Sequence, residues 1–193
     1  MKSDFKLIID TYGADRFKFN QPIKDYTALK LEDLAAVFFI AFNSRELIKI
    51  ISMCRELGLA YFLFGTGSKM MIPAGFDGLV IKNRTKNIQT ISLKGKVTKL
   101  GIGVEEALIE VDSGVSVKKF IEYLQSQNLS QAGFLGISGS IGGSLFISNF
   151  LQNCVKSIKV LDSDSEIEEI SVLNLSAKKH IILSAVFKVK AKN

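Results

Sequence analysis

Residues 64–69, FGTGSK, and residues 136–144, GISGSIGGS, are the stretches that decide the fold. We name them the first loop and the second loop. The first loop follows the apolar run at 60–63 (AYFL), a pattern typical of a buried strand that enters a tight turn. Glycine allows close approach of the backbone, so such loops can present several N–H groups to a phosphate. One loop alone is more often an ordinary turn, whereas the pair predicts a grip on a diphosphate from both sides.

Length and composition limit the class of protein. A chain of 193 residues with 47% apolar content can bury a core, as one large domain or two small ones. The longest apolar run, residues 34–42, is far shorter than the roughly 20 residues of a membrane helix, and the N-terminus does not read as a signal peptide. Cys54 and Cys154 lie far apart without a Cys/His cluster. We therefore expect thiols rather than a disulfide or a metal site, and a reducing cytoplasm.

The chain carries a net charge of +6, from 25 basic and 19 acidic side chains. Lysine is spread along the sequence, and the phenylalanines fall inside strand-like runs instead of alternating with basic residues. This pattern favours a solvated surface over a nucleic-acid interface. A positive field that attracts an anionic nucleotide is compatible with it.

The first part of the chain predicts a strand, a helix and a second strand that ends at the first loop. Residues 35–41 (AAVFFIA) are typical of a buried strand, and residues 43–46 (NSRE) of a capping box. Apolar residues then recur at helical spacing until Gly58, and the second strand covers residues 60–64. A short strand is predicted at 79–82.

Short apolar segments and turn residues dominate the remainder of the chain. Segments near 88–93, 96–101 and 107–111 predict an antiparallel meander. The other predicted elements are a helix capped at 113–116, a helical continuation at 144–150, a hairpin over 158–170 and a final strand at 180–190. We expect two α+β lobes, at residues 1–82 and 83–193.

With these segments in place, the chain resembles the flavin-binding part of the UDP-N-acetylenolpyruvoylglucosamine reductase family. The first loop of that family reads LGxGSN, followed by an apolar pair and a GF.G element, which residues 64–81 resemble. Its second loop reads GIPGxVGGA, and residues 136–144 match it with serine in place of proline. Further similar segments lie at 22–27, 112–115 and 181–185, so the resemblance covers roughly residues 20–190.

The resemblance implies the FAD-binding fold of the vanillyl-alcohol oxidase and p-cresol methylhydroxylase type, with FAD as cofactor. In that family NADPH reduces the flavin, which reduces the enolpyruvyl group of a UDP-sugar during peptidoglycan precursor synthesis. We expect a Cβ at Gly67 or Gly139 to occupy space that the diphosphate needs. The residues that the resemblance assigns to cofactor binding are Phe64, Gly65, Thr66, Gly67, Ser68, Lys69, Met70, Gly114, Gly136, Ile137, Ser138, Gly139, Ser140, Gly142, Gly143 and Ile182.

The departures from the family pattern bear on activity. Residues 31–33 (LED) replace a glycine pair, which predicts weaker FAD binding, and Lys69 replaces the asparagine that ends the first loop. Lys69 reads equally well as a partner of the diphosphate or as a solvated lysine. His180, the only histidine, reads more as surface or core filling than as an acid.

A segment with a substrate-side arginine is missing, and the match ends at Asn193, before the family's substrate domain with its catalytic serine and glutamate. No catalytic residue is assigned. We expect a flavin carrier that is incomplete for catalysis alone, with a separate partner supplying a substrate domain. The alternatives are a non-catalytic module with a decayed flavin site and a basic nucleotide-binding or nucleic-acid-binding protein.

Overall fold

The computed structural model describes residues 3–27, 34–68, 70–73, 76–98 and 101–192. Contacts within the chain divide it into two compact units, Met1–Thr85 and Lys86–Asn193, which we call the first and the second unit. Both contain helices and a sheet, so the predicted α+β class is confirmed. The predicted lobe bounds, 1–82 and 83–193, stay a prediction. No helix among the described residues is long and apolar enough to cross a membrane.

The first unit is a four-stranded mixed sheet with two helices. Its elements are α1 (Ser3–Tyr12), β1 (Phe17–Pro22), β2 (Leu34–Ala41), α2 (Ser44–Glu56), β3 (Tyr61–Phe64) and β4 (Leu79–Asn83). The strand order is β1-β2-β4-β3, with β2, β4 and β3 parallel and β1 antiparallel to β2. The three predicted strands and the helix are confirmed here, whereas α1 and β1 are additional elements that the sequence analysis missed.

The N-terminus of α2 has the predicted cap. The Oδ1 atom of Asn43 accepts a hydrogen bond from the N–H of Glu46 at 2.9 Å, and Glu46 Oε2 accepts one from the N–H of Phe42 at 2.9 Å. These bonds satisfy two N–H groups at a helix end, where no carbonyl is available to them. They fix the turn that leads from β2 into α2.

Register places three side chains in one row across the parallel strands. Lys82 of β4 pairs with Ile40 of β2 on one side and with Phe64 of β3 on the other. Residues two apart on a strand share a face, so Val80 precedes Lys82 on the same side of the sheet. An apolar cluster covers this side, and Lys82 stands at its margin.

The second unit is a five-stranded antiparallel sheet with three helices. Its elements are β5 (Ile88–Thr98), β6 (Gly101–Asp112), α3 (Val117–Ser126), α4 (Ile141–Leu145), α5 (Asn149–Asn153), β7 (Val155–Leu161), β8 (Ile167–Ile170) and β9 (Ile181–Lys190). The strand order is β5-β6-β9-β7-β8. The core joins helices to sheet, and Phe120 of α3 packs against Phe187 of β9 with ring centroids 4.9 Å apart.

Two predictions in this unit are wrong in detail. The segments at 88–93 and 96–101 are not separate strands, because β5 runs through Gly95 with only a register shift between Lys94 and Gly95. The helical continuation at 144–150 is instead two short helices, of which α4 starts inside the second loop with Ser140 as its N-cap. The helix after residue 116, the hairpin and the last strand are confirmed.

Candidate functional site

The first loop lies at the edge of the sheet where the parallel strands end. It follows Phe64, the last residue of β3, and β4 ends beside it at Asn83. Ligands of open sheets with parallel strands bind outside the carboxyl ends of those strands. The topology therefore puts the first loop at a typical ligand-binding edge.

Gly67 fixes the course of the first loop. It is buried with a φ of +73°, and a Cβ on it would run into the carbonyl oxygen of Tyr26. Space for a ligand is the expected reason for glycine here, but the structure gives a different one. The chain itself fills that space, because the loop closes against the segment that contains Tyr26 and Thr27.

Backbone donors of the first loop remain open. The N–H groups of Thr66, Gly67 and Ser68 have no acceptor within the described part of the chain. The hydroxyls of Thr66 and Ser68 lie 2.6 Å apart and bond to each other. Successive open N–H groups of this kind form an anion-binding concavity.

A cleft of about 500 Å³ opens beside the first loop, entirely within the first unit. We call it the Lys82 cleft. Its lining residues are Asp25, Tyr26, Thr27, Thr66, Ser68, Lys82 and Arg84. Among the described residues that line it, five come from outside the first loop, and the sequence analysis named none of those five as a site residue.

Lys82 is the half-buried cation of this cleft. Its Nζ donates a hydrogen bond to the carbonyl oxygen of Gly65 at 3.2 Å, and it lies 4.8 Å from the ring centroid of Phe64 and 5.2 Å from that of Tyr26. Burial, and after it the charge of Arg84, lowers the pKa of the Lys82 ammonium group from its usual 10.5 to about 8. The strand-ending position of Lys82 after the apolar residues 79–81 was the only sequence signal for it.

Thr27 contributes an unsatisfied hydroxyl. The residue is 8% exposed, and its Oγ1 is buried without a hydrogen-bond partner among the described residues. Buried hydroxyls normally find a partner, since an unpaired one costs about 1–3 kcal/mol. Because Thr27 lines the Lys82 cleft, a ligand bound in the cleft could be the hydrogen-bond partner of this hydroxyl.

The second loop is held by the turn that precedes α3. The N–H of Gly142 donates to Ser113 O at 2.9 Å, and the N–H of Ile141 donates to Val115 O at 2.8 Å. A Cβ on Gly142 would lie 2.9 Å from the Cβ of Ser113, closer than side chains tolerate. The structure thus brings the second loop together with the turn that contains Gly114.

The middle of the second loop keeps its N–H groups open. Those of Ser138, Gly139 and Ser140 have no acceptor in the described residues, while Gly143 N–H donates to Ser140 Oγ at 3.4 Å. Gly136 has a φ of +82°, and a Cβ on it would meet nothing within 4 Å. A side chain at Gly136 would therefore enter free space at the start of the second loop.

The remaining site residues fall in three groups. Phe64 and Met70 are buried in the apolar cluster of the first unit, and Ile182 of β9 is 4% exposed beside Leu183, whose carbonyl accepts from Ser113 N–H at 2.9 Å. Ile137 donates its N–H to Phe134 O at 3.3 Å. Lys69 and residues 31–33 lie outside the described residues, so the predictions about them stay predictions.

His180 has a local structural contact. Its Nδ1 accepts a hydrogen bond from the N–H of Ser176 at 3.2 Å, which closes the turn before β9. This agrees with its interpretation as surface or core filling. Both cysteines of the chain, Cys54 and Cys154, are free, as expected.

Most of the chain matches a known protein family and a set of curated relatives. Residues 35–171 match the family model described as FAD binding domain. A UDP-N-acetylenolpyruvoylglucosamine reductase of Clostridium perfringens is 24% identical over 175 residues, covering 86% of this chain and 53% of the relative. The same-named reductase of Clostridium tetani is 28% identical over 176 residues, covering 88% and 52%. The chain spans about half the length of the curated relatives that it matches.

Solved structures agree on the fold. The UDP-N-acetylenolpyruvylglucosamine reductase of Thermus caldophilus matches with a TM-score of 0.63 at 18% identity, over 92% of this chain and 62% of the other. A p-cresol methylhydroxylase structure with bound substrate matches with a TM-score of 0.61 at 12% identity, over 100% and 44%. The resemblance to the FAD-binding part of the reductases, and the fold that it implies, are confirmed.

Proposed function

The chain belongs to the family of FAD binding domains, and from that premise we propose that it holds FAD through the open N–H groups of its two loops. FAD is the cofactor that the family assigns. The residues fit the cofactor, because a diphosphate needs several donors and positive charge, and the first loop offers both beside Lys82 and Arg84. When bound, FAD supplies hydride transfer, while the protein supplies binding and orientation.

One observation carries this proposal. Three successive N–H groups, of Thr66, Gly67 and Ser68, stay open at the carboxyl edge of parallel strands. In a loop that served only as a turn, we expect such donors to bond to carbonyl oxygens of the chain, as those of Ile141 and Gly142 do with Val115 O and Ser113 O. The open donors argue against a decayed site.

The reaction is a further part of the proposal. The matched relatives are named as reductases, and we extend to this chain a role in an NADPH-dependent oxidoreductase that acts on a UDP-sugar. These 193 residues correspond to about half of each relative, so we expect them to carry the flavin without completing the reduction alone. A separate protein part would then position the substrate. The two free thiols favour a reducing cytoplasm.

Titration of the purified chain with flavins tests FAD binding. We expect the apo-protein to bind FAD in a 1:1 ratio, with an absorbance band near ~450 nm when loaded. Riboflavin, which lacks the diphosphate and the adenosine of FAD, is the control and should bind about 100-fold or more weakly, in part because it loses several charge-assisted hydrogen bonds. Equal affinity for both flavins, or no saturable FAD binding, contradicts the proposal.

Turnover is tested separately on the FAD-loaded chain. We expect oxidation of NADPH to show no dependence on added UDP-N-acetylenolpyruvoylglucosamine, because substrate orientation and a positioned proton donor each contribute large factors to rate. Substrate-dependent turnover above ~1 per second would show that these residues suffice for catalysis. FAD binding would stand in either case.

A further inference from the structure

Two cationic side chains, those of Lys82 and Arg84, lie at the carboxyl end of β4, and together they indicate a binding site for an anion. Lys82 and Arg84 both line the Lys82 cleft, and neither forms an ion pair with a carboxylate among the described residues. Arg84 is exposed and lies 5.9 Å from the ring centroid of Phe42, whereas Lys82 is half-buried. A half-buried cation beside a second cation is disfavoured, and the Gly65 carbonyl and the two aromatic rings offset this only in part, so an anion in the cleft would stabilise both charges.

Neutral donors complete the site. Thr27 lines the same cleft, and its hydroxyl has no hydrogen-bond partner among the described residues. Thr66 and Ser68, whose hydroxyls bond to each other, also line the cleft. Phosphate oxygens accept hydrogen bonds from hydroxyls, ammonium and guanidinium groups alike. The donor set therefore suits a phosphate better than an apolar or cationic group.

We propose that the Lys82 cleft binds a phosphate group, with Lys82 and Arg84 as its cationic partners, and with the Thr27 hydroxyl and one hydroxyl of the Thr66–Ser68 pair as hydrogen-bond donors. The phosphate has two possible sources, the diphosphate of FAD and a separate phosphorylated ligand. For the first source, the inference deepens the proposed function and rests on it. It assigns to side chains a role that the sequence analysis gave to loop backbone and to Lys69.

The other charged and titratable groups near Lys82 do not oppose this assignment. Asp25 lines the cleft, but it is exposed, so water screens its repulsion of an anion. Lys18 donates to the hydroxyl of Tyr26 at 3.1 Å and adds positive charge beside that ring. The net field at the cleft is therefore positive.

A bound phosphate would also change the protonation of Lys82. With its pKa near 8, the amine is about half neutral at pH 8, and a neighbouring anion favours the charged form. Phosphate binding at that pH should draw up to about half a proton from solution. Proton uptake separates a direct contact with Lys82 from a merely structural role of this residue.

The experiment uses inorganic diphosphate as the probe, in calorimetric titrations of the full chain at pH 8 in two buffers of different ionisation enthalpy. We expect saturable binding in the wild type, and about tenfold or weaker binding in Lys82→Met. Diphosphate is itself partly protonated at pH 8, so the expected signature of Lys82 is greater proton uptake per bound diphosphate in the wild type than in this variant. Lys49→Met is the matched control, because Lys49 also lies over an aromatic ring, 5.0 Å from that of Tyr12, but does not line the cleft. Its affinity should stay within about twofold of wild type.

Repeating the titration with FAD-saturated protein decides the source of the phosphate. Loss of diphosphate binding assigns the cleft to the diphosphate of FAD, and retained Lys82-dependent binding assigns it to a separate phosphorylated ligand. Arg84→Gln, at an exposed position, tests the site again if Lys82→Met does not fold. Wild-type affinity in both variants, or no saturable diphosphate binding by wild type, overturns the inference, while flavin fluorescence reports independently whether FAD still binds.

Discussion

Position 67 needs glycine because the backbone of Tyr26 fills the space that a Cβ would take. A substitution of Gly67 should therefore lower the stability of the fold, whether or not a ligand binds. We expect Gly67→Ala to lower the free energy of unfolding by about 3 kcal/mol, because the Cβ meets the carbonyl of Tyr26 and φ is +73°. Gly58→Ala is the matched control, since φ there is +61° but nothing lies within 4 Å. It should cost about 1 kcal/mol. Urea unfolding followed by circular dichroism checks both, and equal losses would mean that the loop does not close on Tyr26.

Lys82 should leave a signature in the pH dependence of stability. Its pKa is about 8 in the folded chain and 10.5 when unperturbed, so between these pH values the unfolded state binds more protons. The wild-type free energy of unfolding should therefore rise with pH across this window, relative to Lys82→Met. Allowing for the partial exposure of the side chain, the relative gain is about 1 kcal/mol. A difference between the two proteins that does not change from pH 7 to pH 10.5 would contradict the lowered pKa.

At the scale of elements, the cap of α2 can be tested by two substitutions. Asn43→Ala removes the acceptor for the N–H of Glu46 and should cost about 1 kcal/mol of unfolding free energy. Asn43→Ser keeps an acceptor at the N-cap and should stay close to wild type. Urea midpoints of the three proteins give the comparison. If the serine variant loses as much as the alanine variant, the cap does not depend on the side-chain acceptor.

Local patterns predicted the elements that carry strong local signals. The strand at 35–41, the capping box and the first loop each have a signature within a few residues. The predicted break between the segments at 88–93 and 96–101 falls at Gly95, where the structure has a strand irregularity, because a glycine at such an irregularity and one in a turn look alike in sequence. The start of α4 was missed since Gly142 and Gly143 read as loop, although Gly142 is there for close packing on Ser113.

The site as a whole depends on sheet order, which the sequence does not state. Lys82 lies beside the first loop only because β4 inserts between β2 and β3, so that Lys82 pairs with Phe64. The resemblance could identify the two loops, but it could not assign a role to a lysine outside them. The role of Thr27 could not be predicted for the same reason, because only the neighbours of its hydroxyl in space show that this hydroxyl has no hydrogen-bond partner among the described residues.

At the scale of the whole molecule, each unit carries one of the two loops that we propose to hold FAD. One variant in each unit tests both loops: Lys82→Met in the first, and Gly136→Asn in the second, where asparagine tolerates a φ of +82° and its side chain enters free space at the start of the second loop. Each should weaken FAD binding about tenfold, as followed by flavin fluorescence. Gly58→Asn is the control. Gly58 also has a positive φ, but it lies before the start of β3, whereas the first loop begins at the end of β3, so this variant should leave FAD affinity unchanged. If only one of the two variants weakens FAD, the cofactor is held by one unit, and the second loop or the Lys82 cleft serves another ligand.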